Sequence, residues 1–278
     1  MKILWTSAIA STVFFAGTFS TNAAVFTLYN GSGLPASQGS LAPGALQSSG
    51  FPTSVSETSV AGGVQLNTAA NSAEYSGYSN YNPLSSTYYN NTTFNSSTLD
   101  QTTGYTINFT VNLDTVTDAT TTSNPRAAFS IIAISGDKKG IEIGFRTDEI
   151  FAQSTNFTSQ AQTALFTTTS PTAYKLTVFA DNYSLSSNGT PIINGALQNY
   201  VFNPASSNPP LTFNPYTTSS FLFFGDDTGK ESGTFTLGSV NLDTTPIPFE
   251  FSPTYGLLAI GTGLAIKNWR KKAKDKIK

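Results

Sequence analysis

The chain has 278 residues with no cysteine and no histidine, and its 14 Lys/Arg and 16 Asp/Glu leave a formal charge of −2 at pH 7. Lacking thiols and imidazoles, it forms no disulfide or thiolate metal site and cannot run Ser-His-Asp or Cys-His chemistry. Its cations crowd at the C-terminus: residues 25–247 hold six Lys/Arg against fourteen Asp/Glu, a charge of −8, which argues against a nucleic-acid partner.

Lys2, the apolar stretch Ile3–Ala16 and the small residues Ser20-Thr21-Asn22-Ala23-Ala24 have the charge, core and cleavage region of a secretory signal peptide. This predicts removal of residues 1–24. Residues 25–63 are rich in Gly, Ser, Pro and Ala, and predict an extended arm with short strands at most. Order is expected from Val64, and residues 64–243 predict one all-β domain because no linker interrupts them.

Within that domain, Tyr105–Leu113 alternates apolar and polar residues, as a half-buried strand does. Ala127–Ile134 is a nearly continuous apolar strand, and the turn Ser135–Gly140 leads into a second strand, Ile141–Arg146, making a hairpin. Thr147-Asp148-Glu149 closes another hairpin into Ile150–Gln153. Tyr174–Ala180 and Tyr183–Ser187 flank Asp181-Asn182, while Asn188-Gly189 and Asn194-Gly195 predict tight turns. Phe221–Phe224 and Gly233–Leu237 complete the set, with Gly238-Ser239 shifting the apolar phase as a bulge would. Many strands joined by short turns imply two antiparallel sheets packed face to face, a β-sandwich.

After residue 243 the character changes. Pro248-Phe249-Glu250-Phe251-Ser252-Pro253 precedes an apolar run, Thr254–Ile266, and a tail with seven Lys/Arg. As a helix, the run with Phe251 rises roughly 24 Å, short against a hydrocarbon core of about 30 Å. The basic tail holds the end of the chain on the cytoplasmic side. Residues 246–272 resemble the cyanobacterial subclass of PEP-CTERM sorting signals. That resemblance implies an exosortase-type enzyme as partner, membrane attachment through the C-terminal helix before processing, and a final place at the cell surface or outside the cell. A plain tail anchor is the other reading of the same residues.

The domain itself resembles the concanavalin A-like jelly roll of laminin-G and legume-lectin type. The likeness rests on Leu99–Tyr105 leading into a long strand, on Tyr174–Val178 followed by Tyr183-Ser184-Leu185 and an Asn-Gly turn, and on Phe224–Thr228. Such jelly rolls serve as lectins, glucanases and structural modules, so the site has to be argued from residues. A retaining glucanase needs two carboxylates about 5–5.5 Å apart, yet the same-face strand neighbours of Glu142 are Gly144 and Arg146. The expectation is therefore a non-enzymatic adhesion or polysaccharide-binding module, with a glucanase-like enzyme or a passive matrix component as alternatives.

Three constellations are candidate binding sites. Asp226, Asp227 and Glu231 offer hard oxygen ligands, with calcium as the candidate ion. Tyr75, Tyr78 and Tyr81, within a longer tyrosine-rich stretch, offer flat faces on which sugar rings stack, although tyrosine is also an ordinary strand former. Arg146 beside Asp148 and Glu149 is an anion site or, more simply, a local ion pair.

Overall fold

The computed structural model describes residues 24–247 apart from 45, 47–50, 52–53, 70–74, 118–125, 208–209 and 229–230. The expected signal peptide, the Pro248–Pro253 motif, the apolar run and the basic tail lie outside the described residues. Among the described residues the regular structure is strand, with three one-turn 3-10 helices, and no helix is long and apolar enough to cross a membrane.

In chain order the strands are β1 (Val25–Tyr29), β2 (Ala42–Gly44), β3 (Ser56–Val60), β4 (Gly63–Asn67), β5 (Ser76–Ser79), β6 (Tyr81–Asn82), β7 (Thr87–Tyr88), β8 (Tyr105–Thr117) and β9 (Phe129–Ile134). They continue as β10 (Gly140–Phe145), β11 (Glu149–Gln153), β12 (Gln160–Leu165), β13 (Thr172–Phe179), β14 (Asn182–Ser187), β15 (Thr190–Ala196), β16 (Phe221–Asp226) and β17 (Ser232–Asp243). One sheet runs β15-β14-β13-β8-β17-β4-β3, with β1 also paired to β17, and the other runs β12-β11-β10-β9-β16-β5-β2. Every pairing between these strands is antiparallel. The fold is a two-sheet antiparallel β-sandwich, as the alternating strands predict.

The core between the sheets takes Ile107, Phe109 and Val111 from β8 and Leu176 and Val178 from β13, against Ile131, Ala133, Ile143 and Phe224 of the facing sheet. Each fully buried Phe or Ile contributes roughly 1.5–3 kcal/mol of transfer free energy, which is why the alternation in β8 decides which face turns inward. Residues 25–63, expected as an extended arm with short strands at most, supply the short strands β1 and β3 to one sheet and β2 to the other. Their short apolar sets do not form strands unaided; β17 offers β1 a ready edge along Val240–Asp243. The expected bulge is present, since the β17–β8 register slips between Leu237 and Val240. Asn188-Gly189 turns with both residues at positive φ, 50° and 77°, but Asn194-Gly195 lies inside β15. Gly195 serves packing there: a Cβ on it would come within 3.1 Å of the Tyr183 ring it faces.

The central strands of the second sheet, β9, β10 and β16, are buried on both faces. Ile132, Ile134, Phe221 and Phe223 point away from the sandwich core into a separate apolar cluster with Tyr200, Leu211 and Tyr216. The cover comes from the connection between β15 and β16. Asn203-Pro204 and Asn214-Pro215 each begin a 3-10 turn, with the Asn side chain accepting from the backbone N–H two residues on, at 3.1 and 3.0 Å. Proline presets φ at the first turn position and asparagine caps the free amide. The second turn packs Tyr216 against the outer face of the sheet.

Candidate functional site

Under that cover lies a cavity of about 430 Å³, lined by aliphatic and aromatic residues and by a compact polar group: Arg126, Ser130, Glu142, Gln153 and Asp227. The topology brings these together from distant parts of the sequence. β10 pairs with β9 and β9 with β16, so Gly144, Ser130 and Gly225 stand side by side across three strands. Glu142 lies two residues from Gly144, and Asp227 two residues beyond Gly225. A period of two puts all of them on the outer face.

The glycines make this approach possible. A Cβ on Gly225 would lie 2.3 Å from the Cα of Gly77 on β5, and one on Gly144 would lie 2.5 Å from the Phe151 ring. β16 therefore sits tightly against β5 where it delivers Asp227.

Glu142 and Asp227 are hydrogen-bonded to each other. Glu142 is 3% exposed, whereas Asp227 keeps part of its surface open to the cavity. The Tyr216 hydroxyl donates to Glu142 Oε2, and the Tyr200 hydroxyl accepts from the Glu142 backbone N–H at 2.8 Å. That N–H lies beyond the β10–β11 ladder, which begins at Ile143, and the tyrosine replaces the missing strand partner. Ser130 supports Asp227 with a further hydrogen bond.

Burial pushes the Glu142 carboxyl well above the ordinary carboxylate range, and the Asp227 charge pushes it further; the Tyr216 hydroxyl and Arg126 only partly offset this. Asp227 is also raised, first by burial, against the opposing pull of its hydrogen bonds and Arg126. Two carboxyls that interact away from water cannot both ionise cheaply, so the charge on one opposes ionisation of the other. Tyr200 and Tyr216 are likewise raised well above the ordinary phenol value, first by burial and next by Glu142, and remain neutral.

The residues singled out in the sequence fare differently. Tyr75 is buried and lines the cavity. Tyr78 does not present a surface: it is fully buried, donates to Glu57 Oε1 at 2.8 Å and packs edge-on against Phe51. Tyr81 is half-buried against Tyr88, Phe213 and Phe221, away from the cavity. Arg146 is an ion-pair residue, 2.9 Å from Glu149, with its guanidinium 4.9 Å from the Phe151 ring centre.

The proposed calcium ligands are not brought together. Asp226 and Asp227 are consecutive and point to opposite faces of the sheet. The Asp226 carboxylate is fully buried and accepts from Thr68 Oγ1 at 2.8 Å and from the backbone and hydroxyl of Thr228 at 3.0 and 2.9 Å. Glu231 is buried as well, and among the described residues no group of three or more acidic side chains is placed to hold a metal ion.

No protein-family model and no curated protein matches the sequence. Among solved structures, a carbohydrate esterase from Shiga toxin-encoding bacteriophage phi24B is 12% identical, with 79% of this chain and 99% of that one covered at a TM-score of 0.49. A family 7 alginate lyase solved with substrate is 10% identical, covering 72% and 85% at 0.42. Sheep galectin-11 is 14% identical, covering 51% and 90% at 0.30. At these scores the likenesses assign no residue a role.

The expectation of a non-enzymatic chain is corrected. Glu142 has no second carboxyl on the same face of its own strand. The partner, Asp227, comes from two strands away.

Proposed function

We propose that this chain is an exported protein, sorted to the cell surface by an exosortase-type enzyme, whose sandwich is of the concanavalin A type. It binds polysaccharide in the cavity over Glu142 and Asp227 and removes an acyl group from it by hydrolysis. The observation that carries this reading is the hydrogen-bonded carboxyl pair with one member open to the cavity.

The hydrogen bond between the two carboxyls favours one reaction class. Glycosidases that use two carboxyls hold them about 5–5.5 Å apart when retaining and roughly 6.5–9.5 Å apart when inverting, so that the sugar or a water fits between. A directly bonded pair leaves no such room. It suits addition of water to an acyl carbonyl, where all proton transfers occur on one side of the substrate.

Asp227 takes a proton from water as the oxygen bonds to the acyl carbon. Arg126, the cation among the described lining residues, would stabilise the resulting oxyanion. Collapse breaks the bond to the sugar oxygen, which receives the proton from Asp227, leaving a free carboxylic acid, a sugar hydroxyl and the pair in its starting state. Glu142 keeps its proton throughout and acts as a positioning residue.

The test is acyl release by the purified full-length protein from a panel of acetylated polysaccharides. Release is expected to fall by about 10²- to 10⁴-fold in Asp227→Asn. Equal release by the variant, or none from any acylated glycan, would overturn the proposal.

A further inference from the structure

We infer that the cavity accepts an uncharged pyranose unit and rejects uronate and sulfated sugars, with the Phe157 ring as the platform on which the sugar stacks. This rests on the glycan reading above and names the substrate class of that site.

The charge balance comes first. Among the described lining residues two carboxyls, Glu142 and Asp227, stand against one cation, Arg126. The cavity floor therefore has no surplus of positive charge. An anionic sugar would set its charge beside these carboxyls with no spare cation to pair it, an unfavourable juxtaposition of like charges. A neutral sugar meets no such penalty, and its hydroxyls find acceptors and donors in Asp227, Asn156 and Asn203.

Phe157 supplies the second, independent observation. It lies in the turn between β11 and β12 with φ of 61°, a left-handed conformation rare for a bulky side chain. Such strain persists where surrounding contacts hold it, and it gathers at ligand sites. Here those contacts are aromatic: the Phe157 ring centre lies 5.2 Å from Tyr200, 5.0 Å from Tyr216 and 5.6 Å from Phe202. Tyr200 stacks on one face of the Phe157 ring, and Phe157, half-buried, is part of the cavity lining. An aromatic face held rigidly beside hydrogen-bonding groups is what the apolar face of a pyranose needs.

Binding of neutral gluco-, manno- and galacto-configured tetrasaccharides and of matched galacturonate and mannuronate tetrasaccharides is measured calorimetrically on the full-length protein. At least one neutral ligand should bind, with uronates weaker by at least about ten-fold. Phe157→Ala should lose about five- to ten-fold in affinity, whereas Phe157→Tyr, which keeps the ring, should stay near the wild-type value. Near-ultraviolet circular dichroism checks that both variants are folded. Tighter binding of uronates, or unchanged affinity in a folded Phe157→Ala, would overturn this inference while leaving a glycan site in place. Absence of binding by every oligosaccharide would overturn it together with the glycan reading.

Discussion

Replacing Tyr216 by Phe removes one oxygen and leaves the ring in its packing between Tyr200 and Phe202. The lost hydroxyl donates to Glu142 Oε2, in a site where Glu142 is almost wholly buried. When the carboxyl pair is ionised this is a hydrogen bond to a charge, worth about 1.5–3 kcal/mol; when the pair is fully protonated it is an ordinary one, worth about 0.5–1.5 kcal/mol. The variant should therefore lose more stability at pH 8 than at pH 5. For a domain of this size each kcal/mol shifts Tm by about 2–4 °C, so a loss of roughly 3–12 °C is expected at pH 8 and about half that at pH 5. Because the hydroxyl holds the Glu142 pKa down, the alkaline limb of any activity profile should also move upward, by about one pH unit for each 1.4 kcal/mol of lost preference for the ionised form. Scanning calorimetry at the two pH values reads the difference. An equal loss at both would mean that Tyr216 supports the fold alone and that the pair does not titrate between them.

Asp227→Asn removes a buried charge beside Glu142, so it should raise Tm at pH 8 even as acyl release falls, a trade of stability against activity seen by comparing melting curves with turnover. In the wild type, Glu142, Asp227 and Asp226 are all raised by burial. The folded protein thus keeps protons that the unfolded chain releases above about pH 4, and the stability they contribute is complete below that pH and lost as pH rises through the raised values. Denaturant midpoints should decline steadily from pH 5 to pH 9, and a flat profile would contradict the assigned pKa directions. Gly225→Ala forces a Cβ to within 2.3 Å of Gly77 and should cost about 1–3 kcal/mol or more by parting β16 from β5, read as an earlier urea midpoint and a loss of acyl release. Replacing Phe249 and Glu250 by Ala should block sorting, visible by cell fractionation as accumulation of the full-length chain in the membrane; normal release would favour another processing route.

Residues that share a strand were readily legible. The alternation in Tyr105–Leu113 and the Asn188-Gly189 turn each led to a real element, because side-chain period and turn chemistry are local. The acid pair was not, since Glu142 and Asp227 meet only after β9 has paired with both of their strands. One signal did point there. Phe221–Phe224 and Ile131–Ile134 are apolar at every position, and in an antiparallel sandwich a strand without alternation has both faces covered. Glu142 is the acid in another such strand, so it had to be buried beneath something and to need a partner. Tyr78 misled for a related reason: its hydroxyl finds Glu57, distant in sequence, and the ring is drawn into the core.

Infrared difference spectroscopy of the carboxyl stretch, comparing wild type with Asp227→Asn across a pH titration, tests the raised Glu142 and Asp227 pair most directly. The account predicts a protonated-carboxyl band in the wild type at neutral pH that is altered by Asp227→Asn and bleaches only in alkali. Two ionised carboxylates at neutral pH, with no difference band at the protonated position, would contradict it.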